Sequence, residues 1–344
     1  MRTKLIHLFA SALAIIFLLI SCAKDEPVPI VDPNEPEDKV QYDPTPYIMP
    51  KLFPLPEMVI PEDNPMTEQG VLLGRMLFYD PILDKDSARA CATCHIQEQS
   101  FTSGAIVLPH LNFAYNKNYL WDGHVSGTVE EVMYFEITEF FQADFDRINA
   151  SKLYRDQFKR AFDTEVATPE LAAKAMAQFE RILTSYNSKF DKMLRGELIF
   201  NEDERAGMNL FFSEEADCFH CHNYLFFGDN LLHNNGLDED PDEGHFAYTG
   251  NPIDIGKFKT PTLRNVALTA PYMHDGRFET LDEVIDFYSE QVKISPTIDP
   301  LMEFMHQGGV QMSPTEKRQL KAFLLTLTDE AFITNPETQN PFTE

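Results

Sequence analysis

The sequence has few basic residues: its 344 residues contain 28 Lys and Arg against 55 Asp and Glu, which gives a formal net charge of −27. This charge excludes nucleic-acid binding as a main role, because phosphate contacts need a basic surface. A partner protein with a basic face fits the charge better. Apolar residues make up 43% of the chain, so disorder along the whole chain is excluded as well.

Long apolar runs are also scarce, and the longest lies at the N-terminus. Residues 5–20 form this run, directly after the basic residues Arg2 and Lys4. The run is too short for a membrane-spanning helix and is typical of a secretory signal. It ends in Leu-Ile-Ser-Cys22, which resembles a bacterial lipobox. We therefore predict a signal peptide over residues 1–21 and a lipid on Cys22; an ordinary signal peptide with an incidental Cys is the alternative.

The segment that follows is predicted to be an extended tether. Residues 22–46 are acidic, rich in Pro and almost without an apolar pattern. Removal of residues 1–21 takes away two positive charges and no negative ones, which changes the net charge from −27 to −29. We expect an exported protein that touches the membrane through its lipid anchor only, on the periplasmic face of a bacterial membrane or at the cell surface.

Cysteine is scarce too, and after Cys22 only four remain. They form two clusters, Cys91-Ala-Thr-Cys94-His95 and Cys218-Phe-His-Cys221-His222. This C-x-x-C-H pattern is the attachment motif of c-type haem. The two sulfurs reach the haem vinyl groups, and the His that follows is the proximal iron ligand. A four-thiolate zinc site or two disulfides would not need the His, so we predict two covalently bound haem c groups.

Strand signals are few, whereas helical patterns are clear. One helix is predicted to be capped by Asn64 and to end at Asp80-Pro81, and another begins at Asn201 with a capping-box variant. Residues 168–186 form an amphipathic helix, and a further helix begins at Ser313 in a capping box. The fold class is therefore predicted to be mainly α, with long loops around the haems.

A weak repeat precedes the two haem motifs. Gly74-Arg-Met-Leu-Phe lies before the first motif and Gly207-Met-Asn-Leu-Phe before the second, and the motifs begin 127 residues apart. This predicts two tandem cytochrome c-like domains. Their expected bounds are 47–194 for the first and 195–330 for the second, with a C-terminal tail over 331–344.

Three further motifs point to a known family. They are Leu120-Trp121-Asp-Gly123, Lys259-Thr-Pro-Thr-Leu-Arg264-Asn265 and Ala270-Pro-Tyr-Met-His274-Asp-Gly276. Together with the haem motifs, their order resembles that of bacterial di-haem cytochrome c peroxidases and their MauG relatives over residues 47–330. The resemblance implies a peroxidatic haem in the first domain and an electron-transferring haem in the second. It also implies that Trp121 lies between them as an electron bridge; a buried core Trp is the other interpretation.

The chain departs from the family pattern at the distal catalytic group. The resemblance implies a Glu in the stretch after the Trp, and Gln142 stands at that register. A carboxylate can carry a proton between the two peroxide oxygens, whereas an amide can only orient peroxide; such catalysis contributes ~10²–10⁴-fold. Glu139 lies three residues earlier, on the same face of a helix, and is the predicted substitute. The alternative is that both are surface groups.

The loop after the first motif is also shorter than in peroxidases that close their active haem with a loop His. It runs 26 residues from His95 to Trp121 and contains His110 as its remaining His, which we expect near the surface rather than on iron. Without a loop His on its iron, the first haem is then expected to keep an open position. The same shortening removes an Arg-Asn pair of the family's inter-haem calcium site, although Thr269 and Pro271 keep the positions whose carbonyls bind it. The sequence therefore leaves calcium open.

The third departure concerns the sixth ligand of the second haem, which by the resemblance is Met in peroxidases and Tyr in MauG. Counting from His274 gives Tyr288, on a helix that begins with a Thr280–Glu283 capping box. Tyr288 could instead be a core aromatic, with Met273 as the rival ligand. Met302, Met305 and Met312 are weaker candidates.

Three functions follow from this sequence. The first is reduction of hydrogen peroxide, with electrons from a small redox protein such as a cytochrome c or a cupredoxin. The second is MauG-like oxidation of a partner protein or substrate at long range. The third is electron transfer without peroxide chemistry.

Overall fold

A computed structural model describes residues 40–42, 44–103 and 107–343, and these form one compact unit. The predicted signal peptide, the lipidation at Cys22 and most of the predicted tether lie outside these residues. In this part of the chain no helix is long and apolar enough to cross a membrane.

The described chain is mainly helical, with two short antiparallel strand pairs, so the predicted fold class is confirmed. The α-helices are α1 (Glu68–Tyr79), α2 (Cys91–Cys94), α3 (Val129–Phe135), α4 (Phe145–Ala150), α5 (Lys152–Phe162), α6 (Pro169–Ile182), α7 (Lys189–Leu194), α8 (Glu202–Phe211), α9 (Phe246–Thr249), α10 (Leu281–Glu290), α11 (Pro314–Leu325) and α12 (Glu330–Ile333). The paired strands are β1 (Asn118–Tyr119) with β2 (Val125–Ser126), and β3 (Leu232–His233) with β4 (Phe258–Lys259).

The predicted start of α1 is wrong by one turn. Its N-cap is Thr67, whose hydroxyl accepts a hydrogen bond from the Gly70 amide at 3.0 Å. Asn64 is instead engaged with other helices: its amide donates to Glu130 on α3 at 2.6 Å and accepts from Gln178 on α6 at 2.8 Å. A side chain that links two helices cannot also cap a third.

The other predicted caps are confirmed, but α6 is shorter than predicted. Asn201 begins α8 and Ser313 begins α11, each in a capping box. α6 begins after Thr168 and ends at Ile182 rather than at Tyr186. Beyond it, the Ser185 amide donates to the Asn112 side chain at 3.0 Å, and the Tyr186 amide donates to the Asp329 carboxylate at 3.0 Å. These side chains replace the helical partners of the backbone.

The two repeated glycines mark equivalent helix crossings in the two halves of the chain. A Cβ atom on Gly74 of α1 would overlap the carbonyl oxygen of Ala175 on α6, and one on Gly207 of α8 would overlap that of Gln319 on α11. In both crossings the side chain nearest to that added Cβ belongs to a Phe, which follows the carbonyl residue by four positions: Phe179 on α6 and Phe323 on α11. The weak sequence repeat therefore corresponds to a repeated structure, as tandem cytochrome c-like domains require.

Each half has its own hydrophobic cluster. We call the one formed by buried residues between Leu73 and Ala177 the first core, and the one between Phe190 and Leu327 the second core. The second core includes Phe190 of α7, so α7 packs with the second half. The proposed domain boundary at residue 194 remains a prediction, since the described residues form one unit.

The C-terminal segment packs against the first half of the chain rather than extending from it. The side-chain amide of Gln97, next to the first haem motif, donates to the Asn335 carbonyl and the Thr338 hydroxyl at 2.9 Å each. The rings of Phe101 and Phe332 lie 5.5 Å apart, centroid to centroid, and the Tyr79 hydroxyl donates to the Thr338 carbonyl. Residues 332–338, part of the predicted C-terminal tail over 331–344, thus complete the packing around the first motif.

Candidate di-haem site

The first attachment motif lies on a single helical turn at the edge of the first core. Cys91 and Cys94 begin and end α2, and Cys91 packs against the first core. Nδ1 of His95 hydrogen-bonds the Phe101 carbonyl at 2.8 Å, which places the proton on Nδ1 and leaves Nε2 for a metal. Burial lowers the pKa of His95 and raises that of Cys91, since both charged forms are disfavoured there.

The second motif repeats this geometry. Cys218 and Cys221 flank a 3₁₀ turn over Cys218–His220. Nδ1 of His222 hydrogen-bonds the Phe227 carbonyl at 2.9 Å, and burial lowers the pKa of this imidazole. Burial also raises the pKa of both thiols to about 12. Both imidazoles therefore present a neutral Nε2, the form that binds iron.

The second motif opens into a large, mainly apolar cavity that fits a haem. Cys218, Cys221 and His222 all line it. None of the four described cysteines is in a disulfide, so the thiols remain for attachment to vinyl groups. Apolar walls, paired thiols and a preoriented imidazole are the features that a covalent haem requires.

Tyr288 and Met273, the rival sixth ligands, line the same cavity and share one partner. The side-chain amide of Asn235 donates to the Tyr288 hydroxyl at 2.9 Å and lies 3.7 Å from the Met273 sulfur. Burial raises the pKa of Tyr288 to about 12. Met302, Met305 and Met312 line the cavity as well. No sequence pattern indicates Asn235 as their shared partner, and the ligand assignment remains a prediction.

Trp121 also lines this cavity, although its neighbour Leu120 packs against the first core. The Trp121 carbonyl accepts a hydrogen bond from the Lys259 amide at 2.7 Å, which ties the two halves together. The buried indole Nε1 has no hydrogen-bond partner among the described residues. Trp121 thus joins the first core to the second cavity, which is the placement that an electron bridge would need.

The predicted calcium residues lie at the same cavity. Thr269 and Pro271 both line it, and the Thr269 hydroxyl donates to the Val266 carbonyl at 3.2 Å. No contact of their own carbonyls marks a cation site among the described residues. Calcium stays a prediction.

The expectation that His110 lies near the surface is wrong. Its ring packs against that of His95, with centroids 3.8 Å apart, and its Nδ1 hydrogen-bonds the buried carboxylate of Glu180 at 3.0 Å. The short loop returns directly into the protein, where the His110 amide donates to the Phe101 carbonyl. Burial of the His110 imidazole is tolerated because the Glu180 carboxylate hydrogen-bonds it.

Gln142 and Glu139 are both solvent-exposed in this structure. The Gln142 side chain accepts a hydrogen bond from Lys85 at 3.4 Å, and its backbone is left-handed, with a φ of 50°. Continuous α-helix was the basis for placing the two residues on one face, but the chain forms a π-helical turn over Glu136–Phe140. The structure does not bring either side chain to the first motif.

A different carboxylate of the same segment, Glu136, is half-buried. Burial, and after it the charge of Glu136, raises the pKa of the Cys91 thiol. The sequence offered no signal to separate it from the other acidic residues of this stretch. A second unforeseen group is His233, held between Asp229 and Asp299 at 2.7 and 2.6 Å on the wall of the second cavity.

Comparisons with known proteins agree with this geometry. A family profile described as di-haem cytochrome c peroxidase matches residues 68–198. The chain is 32% identical to the methylamine utilization protein MauG of Methylorubrum extorquens, over 83% of this chain and 86% of that protein. It is 33% identical to the cytochrome c551 peroxidase of Nitrosomonas europaea, over 66% of this chain and 74% of that protein.

A solved structure is similar over nearly its whole length. The crystal structure of a MauG-like protein associated with microbial copper homeostasis aligns with a TM-score of 0.76 and 33% identity, over 85% of this chain and 98% of that one. The chain therefore belongs to the family of di-haem cytochrome c peroxidases and MauG proteins, which are oxidoreductases with two haem c groups.

Proposed function

We propose that this oxidoreductase reduces hydrogen peroxide at the first haem, with electrons that enter through the second haem and pass by Trp121. One observation carries the proposal: Trp121 lines the second cavity while its neighbour Leu120 packs against the first core. When bound, the two haems supply the redox chemistry and an open position for peroxide. The protein itself holds His95 and His222 in their metal-binding tautomer.

The test is steady-state turnover of hydrogen peroxide with a reduced basic cytochrome c, beside a redox titration of both haems. Turnover with two distinct potentials supports the proposal. Rapid electron exchange without peroxide consumption would leave electron transfer alone as the function.

Long-range oxidation of a partner, as in MauG, is the second candidate, and the position of Tyr288 favours it. Its hydroxyl lies at the second cavity with Asn235 as its partner. Axial ligands change haem potential over about 0.8 V, and Tyr lowers the potential relative to Met. A low potential at the second haem would favour sharing of oxidising equivalents between the haems over uptake of electrons from a donor.

Replacement of Tyr288 by Phe is expected to shift the optical and EPR signals of the second haem and to raise its potential, because the phenol oxygen is removed while the ring still fills the cavity. Redox titration with EPR checks this. Met273→Leu is the matched control, since Met273 shares the Asn235 contact. Unchanged signals in Tyr288→Phe, with a shift in Met273→Leu, would transfer the ligand role to Met273.

The finer partner and location assignments belong to the same proposal. The net charge of −27 supports a donor with a basic face, such as a cytochrome c or a cupredoxin. The N-terminal run and Cys22 support export to the periplasmic side and a lipid anchor.

A further inference from the structure

His233 is held by carboxylates on both sides of its ring. Its Nε2 lies 2.7 Å from a carboxylate oxygen of Asp229, and its Nδ1 lies 2.6 Å from one of Asp299. The side chains of His233, Asp229 and Asp299 are 11%, 8% and 16% exposed. We call this group the Asp229–His233–Asp299 triad. Neither haem attachment nor peroxide reduction gives it a task.

The backbone fixes both carboxylates, and this sets the number of protons that the triad holds. The second oxygen of Asp229 accepts from the Leu231 amide at 2.8 Å, and that of Asp299 accepts from the Leu301 amide at 2.9 Å. Such bonds favour the charged form of a carboxylate. A neutral imidazole donates from one nitrogen only, so the lone pair of the other nitrogen would face a carboxylate oxygen. One added proton removes this repulsion and lets both nitrogens of His233 donate.

The triad lies beside an attachment point of the second haem. His233 and Asp299 line the second cavity together with Cys221. The Cys221 sulfur, a carboxylate oxygen of Asp229 and a ring nitrogen of His233 all lie within 4.8 Å of one another. This sulfur is one of the two atoms that bond the haem. Charges in such largely buried surroundings interact more strongly than they do in water, so the triad responds to the charge of the haem.

Lys259 is a second titratable group at this wall of the cavity. It lies on β4, beside β3, and its buried ammonium donates to the Thr260 carbonyl at 3.2 Å. Burial lowers the pKa of Lys259 to about 8, although the charge of Asp229 opposes this effect. Burial also lowers the pKa of His233, but the hydrogen bonds to its two carboxylates outweigh it, so that pKa lies above the usual 6.5. His222, the expected iron ligand, also feels the charge of His233.

We infer that the triad is a proton-binding site coupled to the electron on the second haem. Arrival of the electron removes one positive charge from the cavity, so the triad takes up one proton from solvent and holds it on the imidazole of His233. When the electron passes on to the first haem, that proton returns to solvent. The inference deepens the proposed function, because it rests on the entry of electrons through the second haem.

The midpoint potential of the second haem, measured against pH in the haem-loaded protein, tests the inference. A unit charge about 10 Å away, at an effective dielectric constant of about 20, changes a proton affinity roughly tenfold. For a one-electron couple this corresponds to about 59 mV. The potential of the parent is therefore expected to fall by about that amount as the pH rises through the range above the usual pKa of His, about 6.5.

His233→Gln is expected to abolish this fall, because the amide still donates to a carboxylate but does not titrate. His124→Gln is the matched control. His124 also pairs with a carboxylate, that of Asp122 at 2.6 Å, but it is not among the residues that line the second cavity. This variant should keep the fall of the parent. A purely structural role of His233 would change the haem content or the absorbance spectrum at a fixed pH instead.

Two further variants assign the proton within the cavity wall. Asp299→Asn should move the fall to lower pH, because the imidazolium loses one of its two anionic partners. Lys259→Met should keep the fall and move it to higher pH, because a nearby cation is removed. If His233→Gln did not retain the second haem, Asp299→Asn would decide: a fall at the pH of the parent would overturn the inference.

Three other results would overturn it as well. They are a parent potential that does not change with pH, an equal fall in His233→Gln, and a fall that is lost in Lys259→Met but kept in His233→Gln. Failure of the proposed function looks different. A parent that does not turn over peroxide, but whose second haem has a potential that depends on pH through His233, would remove the peroxidase proposal and retain the triad as the proton site.

Discussion

Replacement of both Cys91 and Cys94 by Ala is expected to leave a protein with one haem, at the second motif, and no reaction with hydrogen peroxide. Both thioether links of the first haem are lost. α2 has only four residues, too few to persist without the cofactor that it holds. Intact mass and absorbance give the haem count, and stopped-flow mixing with peroxide gives the reactivity.

The mirror variant, Cys218→Ala with Cys221→Ala, is the control for this experiment. It should keep the first haem and its direct reaction with peroxide, while losing turnover with an external donor. If the Cys91/Cys94 variant retained one haem and still reacted at the parent rate, the first haem could not be the peroxide site.

Replacement of Asp191 by Ala is expected to lower the free energy of unfolding by about 3–5 kcal/mol. Its two carboxylate oxygens accept hydrogen bonds from the Arg264 guanidinium at 2.9 and 3.0 Å, and both side chains are 0% exposed. One of those oxygens also accepts from the Ser188 amide, which begins α7. Removal of the carboxylate leaves a buried cation unpaired and uncaps a helix.

Chemical denaturation of the haem-loaded protein measures this loss. Glu197→Ala is the matched control, because Glu197 pairs with Arg195 at 2.6 Å but its side chain is 51% exposed. An exposed pair contributes about 0–1 kcal/mol, so the control should unfold almost as the parent does. Equal losses in the two variants would contradict the importance of burial. Arg264 lies in the Lys-Thr-Pro-Thr-Leu-Arg-Asn motif. Its buried ion pair with Asp191 is a physical reason for an Arg at that position.

Much of the architecture could be predicted from local chemistry. Helix starts that depend on a side chain and the three residues after it, as at Asn201 and Ser313, were predicted correctly because all the interacting groups are near in sequence. The repeated glycines indicated two equivalent halves, since only a residue without Cβ allows such close backbone contact. The C-x-x-C-H motifs indicated haem because the chemistry of attachment fixes their spacing.

Features that depend on distant partners could not be predicted. The sequence predicts Asn64 as a helix cap, but Glu130 and Gln178, both more than 60 residues away in the chain, bind its side chain instead. His110 packs on His95 because Glu180, 70 residues away, satisfies it. The side-chain positions after α3 depend on the π-helical turn over Glu136–Phe140, and no residue type specifies such a turn.

The contacts of the C-terminal segment have a consequence for the order in which the protein matures. Multidomain chains usually fold their N-terminal part first, as it emerges during synthesis. Here the Gln97 side-chain amide finds its partners in residues 332–338, which are synthesised late, and the Phe101 ring packs against Phe332 as well as against Phe78. The first half of the chain therefore remains incompletely packed until translation is finished. Over that interval the hydrophobic cluster against which Cys91 packs still lacks Phe332.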